Sequence, residues 1–260
     1  MLGSGRSGTS LLAGSLARAG YHVGHELVEA SDANPTGFFE DREVNELNEL
    51  LLAQVTPPRP PGAPPAPDAS GALWGPETLW GWRWLAPVPL GTDVPRLGVL
   101  DDRMEAALAT RPFALKDPRF CLTLGAWRPL LPDDTAFLCV FREPARTARS
   151  IVRVGAQGVY LHGYQLSFAQ AVELWALTYR HVLDARRDGD DWRFVHFDQL
   201  LDGSARAPLA GLLGAAPDLS LADPALRRSP AAGDVGADAE AVYGALCGLA
   251  GYSPTRDGPA

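Results

Sequence analysis

The chain is almost without lysine: Lys116 is the single one, and arginine supplies the rest of the 23 basic side chains. With abundant Ala, Gly and Pro, that skew points to a GC-rich bacterial genome. Cysteine is scarce as well. Cys121, Cys139 and Cys247 are odd in number, widely spaced and set among apolar residues, which excludes a disulfide framework or a zinc site and makes them buried thiols. No run approaches the roughly 18 apolar residues of a membrane span, and no basic-then-apolar leader opens the chain, so the expected location is cytoplasmic. Positive charge is in deficit too. A net charge of −8 and a pI near 5.1 exclude a broad electrostatic footprint for nucleic acid or anionic lipid, so any anionic ligand must be held locally. What remains is an ordinary globular composition, 46% hydrophobic and 21% charged, over 260 residues. Such a chain buries roughly three quarters of its unfolded surface and suits one large α/β domain, 1–260.

Local pattern then divides the chain. Gly3-Ser4-Gly5-Arg6-Ser7-Gly8-Thr9-Ser10 runs into Leu11, Leu12, Leu16 and Ala19 at helical spacing, so a glycine loop opens an amphipathic helix. Asp41 is placed to cap a second helix with an apolar face of Val44, Leu47, Leu50 and Leu51. From Thr56 to Pro76 the density of Pro, Gly and Ala predicts an exposed loop or lid, followed by Trp74, Trp80, Trp82 and Trp84. Short strands are expected at Phe113–Lys116, Ala136–Phe141 and Arg193–Phe197, and a long helix at about Ser167–Arg187 with Phe168, Val172, Trp175, Leu177 and Tyr179 on its apolar side. Strands alternating with helices predict a central parallel sheet covered on both faces, and the tail beyond about Ser253 is expected to fray.

Two segments carry chemistry. Successive backbone N–H groups of a glycine loop, backed by a helix dipole, suit phosphate or sulfate. Gly3 to Ser10 has the spacing G-x-x-x-x-G, but Thr9 and Ser10 follow where a magnesium-nucleotide loop requires Lys and then Ser or Thr, and the cation lies inside the loop at Arg6. The plain structural alternative is a glycine turn with a solvated arginine. The second segment is the strand Phe137–Phe141 ending in Arg142-Glu143-Pro144, with Ser150 about two helical turns further on. Arg142 stands where open α/β sheets bind ligands, and the rival reading is an ordinary surface arginine.

In combination these segments resemble the sulfotransferases that use 3′-phosphoadenosine 5′-phosphosulfate, the bacterial branch in particular. Asn34-Pro35-Thr36-Gly37-Phe38-Phe39-Glu40-Asp41, Leu115-Lys116-Asp117-Pro118-Arg119-Phe120 and Asp223–Arg228 share that likeness. The resemblance implies a single α/β domain whose P-loop-like first loop, Ser4, Gly5, Arg6, Ser7, Gly8, Thr9 and Ser10, binds the 5′-phosphosulfate. It implies that Arg142 and Ser150 take the 3′-phosphate, and that a metal is not needed. Such proteins place a full strand before the glycine loop, whereas here Met1 and Leu2 precede it, so either the start lies upstream or the sheet loses a member.

The implied reaction moves a sulfuryl group to a hydroxyl of a small-molecule acceptor such as a secondary metabolite or glycan, by in-line displacement with no nucleic-acid or membrane partner. Arg6, Ser7 and Thr9 would meet the leaving-group charge. Glu40 is the first choice of general base, with a helix-start or salt-bridge role as its plain alternative; His25 and His162 are rival bases, while His181 and His196 read as structural. Trp82 is chosen to stack on the adenine or acceptor, with little to separate it from Trp80 or Trp84. Arg227 and Arg228 are placed to close on the 3′-phosphate, or else are a solvated pair. Two other classes stay open: a P-loop kinase, for which Thr9 replaces the essential Lys, and a non-catalytic nucleotide-binding protein on the same fold.

Overall fold

A run of six apolar residues rich in aromatic and β-branched side chains forms β1 (Ala136–Phe141). In the computed structural model, which describes residues 1–31, 34, 36–58, 81–157, 164–214, 217–223 and 233–254, β1 pairs in parallel with β2 (Asp191–His196). Ala136 lies opposite Asp191 and Phe141 opposite His196. Leu2 adds a one-residue parallel bridge on the other side of β1, its N–H donating to Leu138 and its carbonyl accepting from Val140. The central sheet is therefore small, with two full strands among the described residues.

Side-chain alternation splits β1 between two cores. Leu138 and Val140 pack with Leu11, Leu12 and Leu16 of α1 (Thr9–Arg18) and with Val195, Phe197 and Leu200, beside α7 (Phe197–Leu201) and α8 (Arg206–Leu213). Phe137, Cys139 and Phe141 face the larger core, built on α2 (Arg42–Leu52), α3 (Asp101–Leu108), α4 (Phe120–Trp127), α5 (Pro144–Gln157), α6 (Phe168–Asp184) and α9 (Gly236–Ala250). Both faces are covered, as the continuous apolar run of β1 requires. No helix among the described residues is long and apolar enough to cross a membrane.

The helices start where their sequences say. Asp41 caps α2, its Oδ1 accepting the Glu43 N–H at 2.7 Å, and Val44, Leu47 and Leu51 are fully buried. Ser167 and Gln170 form a capping box before α6, whose Val172, Trp175, Tyr179 and Val182 enter the core. Two expectations are corrected. Phe113–Lys116 is not a strand: Phe113 makes one parallel bridge, to His22, and Pro112 beside it has no N–H to extend a ladder. Phe197 leaves the sheet and opens α7. The three cysteines are free and buried, and burial pushes the Cys121 thiol up to about 12. The lid from residue 59 onward, Trp74, Trp80, His162, Arg227, Arg228 and the tail from 255 lie outside the described residues.

A buried polar network fixes α2 against the chain before α4. Glu49 accepts Arg83 Nη1 at 2.8 Å and Arg119 Nε at 2.6 Å, and Arg119 also bonds Asp117 at 3.0 Å. Asn48 donates to Asp117 at 3.0 Å and accepts from Thr123 and the Trp127 indole. Every one of these charges has a counter-charge, the condition under which burial is tolerated. The network holds Lys116 at the wall of a cleft.

Candidate anion-binding and catalytic site

The glycine loop, Arg142 after β1 and Phe197 after β2 meet at the carboxyl ends of the strands, on a cleft of about 910 Å³. Two aromatic rings press on the loop. A Cβ at Gly5 would come within 2.4 Å of the Trp84 ring, and one at Gly8 within 2.3 Å of Phe197. Gly8 also has φ +96°, so only glycine fits there. As the N-cap of α1, Gly8 supplies no side-chain acceptor, and no acidic residue stands in the first turn. The positive end of the helix is thus left to the cleft.

Tyr179, fully buried on α6, braces the loop from below. Its Oη donates to the Val140 carbonyl at 2.8 Å, accepts the Ser4 N–H at 3.2 Å and lies 2.9 Å from Ser7 Oγ. Burial holds its hydroxyl well above the usual phenol range, so it stays protonated. Arg6, in the left-handed region at φ +71°, donates from Nε to Ser150 Oγ at 3.1 Å. The two segments expected to share a ligand are therefore in direct contact across 144 residues of sequence.

Arg142 is 6% exposed, and its Nε and Nη2 are buried with no hydrogen-bond partner among the described residues. Its guanidinium lies 4.5 Å over the Phe197 ring. Burial first, and then the neighbouring Arg146, lower its pKa to about 10. A buried cation with two idle donors on a cleft wall suits an anionic partner.

Glu40, 8% exposed, also lines the cleft. Its Oε1 takes the Lys116 ammonium and its Oε2 the Asn45 amide at 3.0 Å. Lys116 Nζ lies 3.4 Å from Ser10 Oγ and from the Phe38 carbonyl, so one ammonium links α1 to the loop carrying Glu40. Asn34 strengthens the link, donating to Ser10 Oγ at 3.2 Å and to the Gly37 carbonyl at 2.7 Å. His25 stands exposed at the rim, its N–H bonded to Asp41 and its ring 4.4 Å from His22.

Trp82 is 1% exposed and packed edge-on to Tyr164, whereas its neighbour Trp84 lines the cleft. Both stand at the short 3₁₀ turn Arg83–Leu85, where positions two apart face different sides. His181 bonds the Val88 carbonyl at 2.8 Å away from the cleft, and His196 is buried as the cap of α7. Sequence reasoning missed Lys116, Tyr179 and Phe197 as site residues. The isolation of Lys116 in the composition was a signal; Tyr179 and Phe197 read as ordinary apolar positions. Comparison with protein-family models, curated proteins and solved structures finds no match to the chain.

Proposed function

We propose that the chain is a sulfotransferase that moves a sulfuryl group from 3′-phosphoadenosine 5′-phosphosulfate to a hydroxyl of a small-molecule acceptor. The observation that carries the reading is Arg142, whose buried Nε and Nη2 have no hydrogen-bond partner among the described residues, on the same cleft as an uncapped helix N-terminus. Two anion sites joined by the Arg6–Ser150 contact fit a ligand with two separate anionic groups. When bound, that donor supplies the sulfuryl group and a phosphate leaving group.

The chain's own residues do the rest. The P-loop-like turn Ser4 to Ser10 and the N-terminus of α1 hold the phosphosulfate end, and Arg6 lies beside it to meet negative charge. Arg142 and Ser150 hold the 3′-phosphate. Glu40 accepts the acceptor's proton, a role worth about 10²–10⁴-fold, while Lys116 and Asn45 fix its carboxylate. His25 at the rim is the rival base. The competing reading as a magnesium-dependent kinase is weakened by Thr9, which stands where the phosphate-binding Lys is required.

Melting separates the readings. A ligand bound only by the native state adds about 2.7 kcal/mol at a hundredfold excess over its Kd. Adenosine 3′,5′-bisphosphate should raise the melting temperature without metal. An upward shift with ATP and magnesium, and none with the bisphosphate, would overturn the proposal.

A further inference from the structure

We propose that Phe197 is the positioning residue of the anion site, holding Arg142 against the glycine loop while leaving its Nε and Nη2 donors free. The inference deepens the sulfotransferase reading and rests on its assignment of Arg142 to an anion. Arg142 has a problem to solve before any ligand arrives: its guanidinium is buried, and no carboxylate lies within ion-pair distance of it among the described residues. A carboxylate partner would stabilise the charge but would occupy the donors that an anion needs. The face of an aromatic ring stabilises the cation through its quadrupole and takes up no N–H. Phe197 is in that position, 4.5 Å below the guanidinium carbon and 4% exposed.

The edge of the same ring meets the loop. Its Cδ2 lies 2.3 Å from the point where a Cβ on residue 8 would be, so the ring packs directly on the Gly8 turn. One side chain therefore spaces the loop from Arg142. The ring is itself immobilised through its neighbour. His196 caps α7 by accepting the Asp198 N–H at 3.1 Å, stacks on Tyr252 at 3.8 Å and meets Tyr243 Oη at 3.1 Å. Gln199 closes the cap by accepting the His196 N–H at 2.9 Å. The backbone at 197 thus stands on a fixed support where β2 gives way to α7.

The test titrates the full chain with two probes, inorganic sulfate and adenosine 3′,5′-bisphosphate, by calorimetry. Phe197→Leu keeps an apolar side chain but removes the ring, and should weaken sulfate binding about fivefold or more. Phe197→Tyr restores the ring and should bind sulfate within about twofold of the wild type. If Phe197→Leu does not fold, Phe197→Met makes the same comparison. Unchanged sulfate affinity in the ring-free variant overturns the proposal, and so does an equal loss in Phe197→Tyr, which would mean that shape alone matters. A wild-type chain that binds sulfate but not the bisphosphate defeats the sulfotransferase reading while the variants still decide the role of Phe197. A wild-type chain that binds neither probe overturns both.

Discussion

Arg142 pulls stability and binding in opposite directions. Without an anion its buried charge is a cost, visible in a pKa lowered to about 10 by burial; with an anion the same charge supplies affinity. Arg142→Met should therefore raise the stability of the ligand-free protein by on the order of 1–3 kcal/mol, since it removes a buried charge that has no carboxylate within ion-pair distance among the described residues. The same variant should lose the upward melting shift with adenosine 3′,5′-bisphosphate. Melting curves with and without that ligand check both signs, and a variant less stable than the wild type would show that Arg142 braces the fold. Glu40 is tested by turnover. Glu40→Gln preserves shape and the contact with Asn45 but cannot take a proton, so turnover should fall about a hundredfold or more while donor affinity stays within about threefold. Slow hydrolysis of the donor provides the assay, and near-normal rates would move the base to His25.

At the scale of elements, α6 both fills the core and carries the glycine loop, through one hydroxyl. Tyr179→Phe keeps the ring and leaves the Ser4 N–H, the Ser7 hydroxyl and the Val140 carbonyl short of a partner. The cost should be about 1–3 kcal/mol, read as a lower urea midpoint at unchanged m-value, with sulfate affinity falling alongside. Elements were legible where one periodicity reports one buried face. The Asp41 cap, the Val44–Leu47–Leu51 face and the uninterrupted run of β1 all say in sequence what they do in structure. Phe113–Lys116 was not, because a strand needs a ladder partner and sequence does not show whether one is present. Trp82 and Trp84 are chemically identical, and only the 3₁₀ turn decides which faces the cleft. Tyr179 counts as apolar in any periodicity, so its hydroxyl contributed nothing to the pattern that located α6.

For the molecule as a whole, the ends of the sheet are tied by charge as well as by packing. Arg128, just after α4, bonds Asp190, just before β2, at 3.0 and 2.8 Å, donates to the Ala185 carbonyl beyond α6, and lies 4.9 Å over the Phe137 ring. The Arg128 guanidinium, with help from the Trp192 N–H, holds the Asp190 carboxyl well below its ordinary value of 3.8. A depressed carboxyl stabilises the fold above its unfolded pKa and stops doing so as pH falls through the folded one. Asp190→Asn should thus cost about 1 kcal/mol at neutral pH, and the difference from wild type should close progressively below about pH 4. Urea unfolding of both proteins across that range checks it; a difference that persists unchanged at low pH would assign the effect to packing. The glycine loop and the strand-end Arg142 were legible as candidates because each is short and contiguous, whereas the pairings Arg6–Ser150 and Glu40–Lys116 join distant residues that no local pattern connects.

The cleft draws its walls from Gly5 at one end of the chain to Phe197 far along it. During synthesis the glycine loop leaves the ribosome long before the ring that closes off the cleft. On the proposed reading, an anion meets its full site only once that ring has arrived. Contacts of such long sequence separation also favour late and slow assembly. On the proposed reading the cleft exists only in a chain extended past residue 197, and the rings that hold its last wall through His196, those of Tyr243 and Tyr252, come later still.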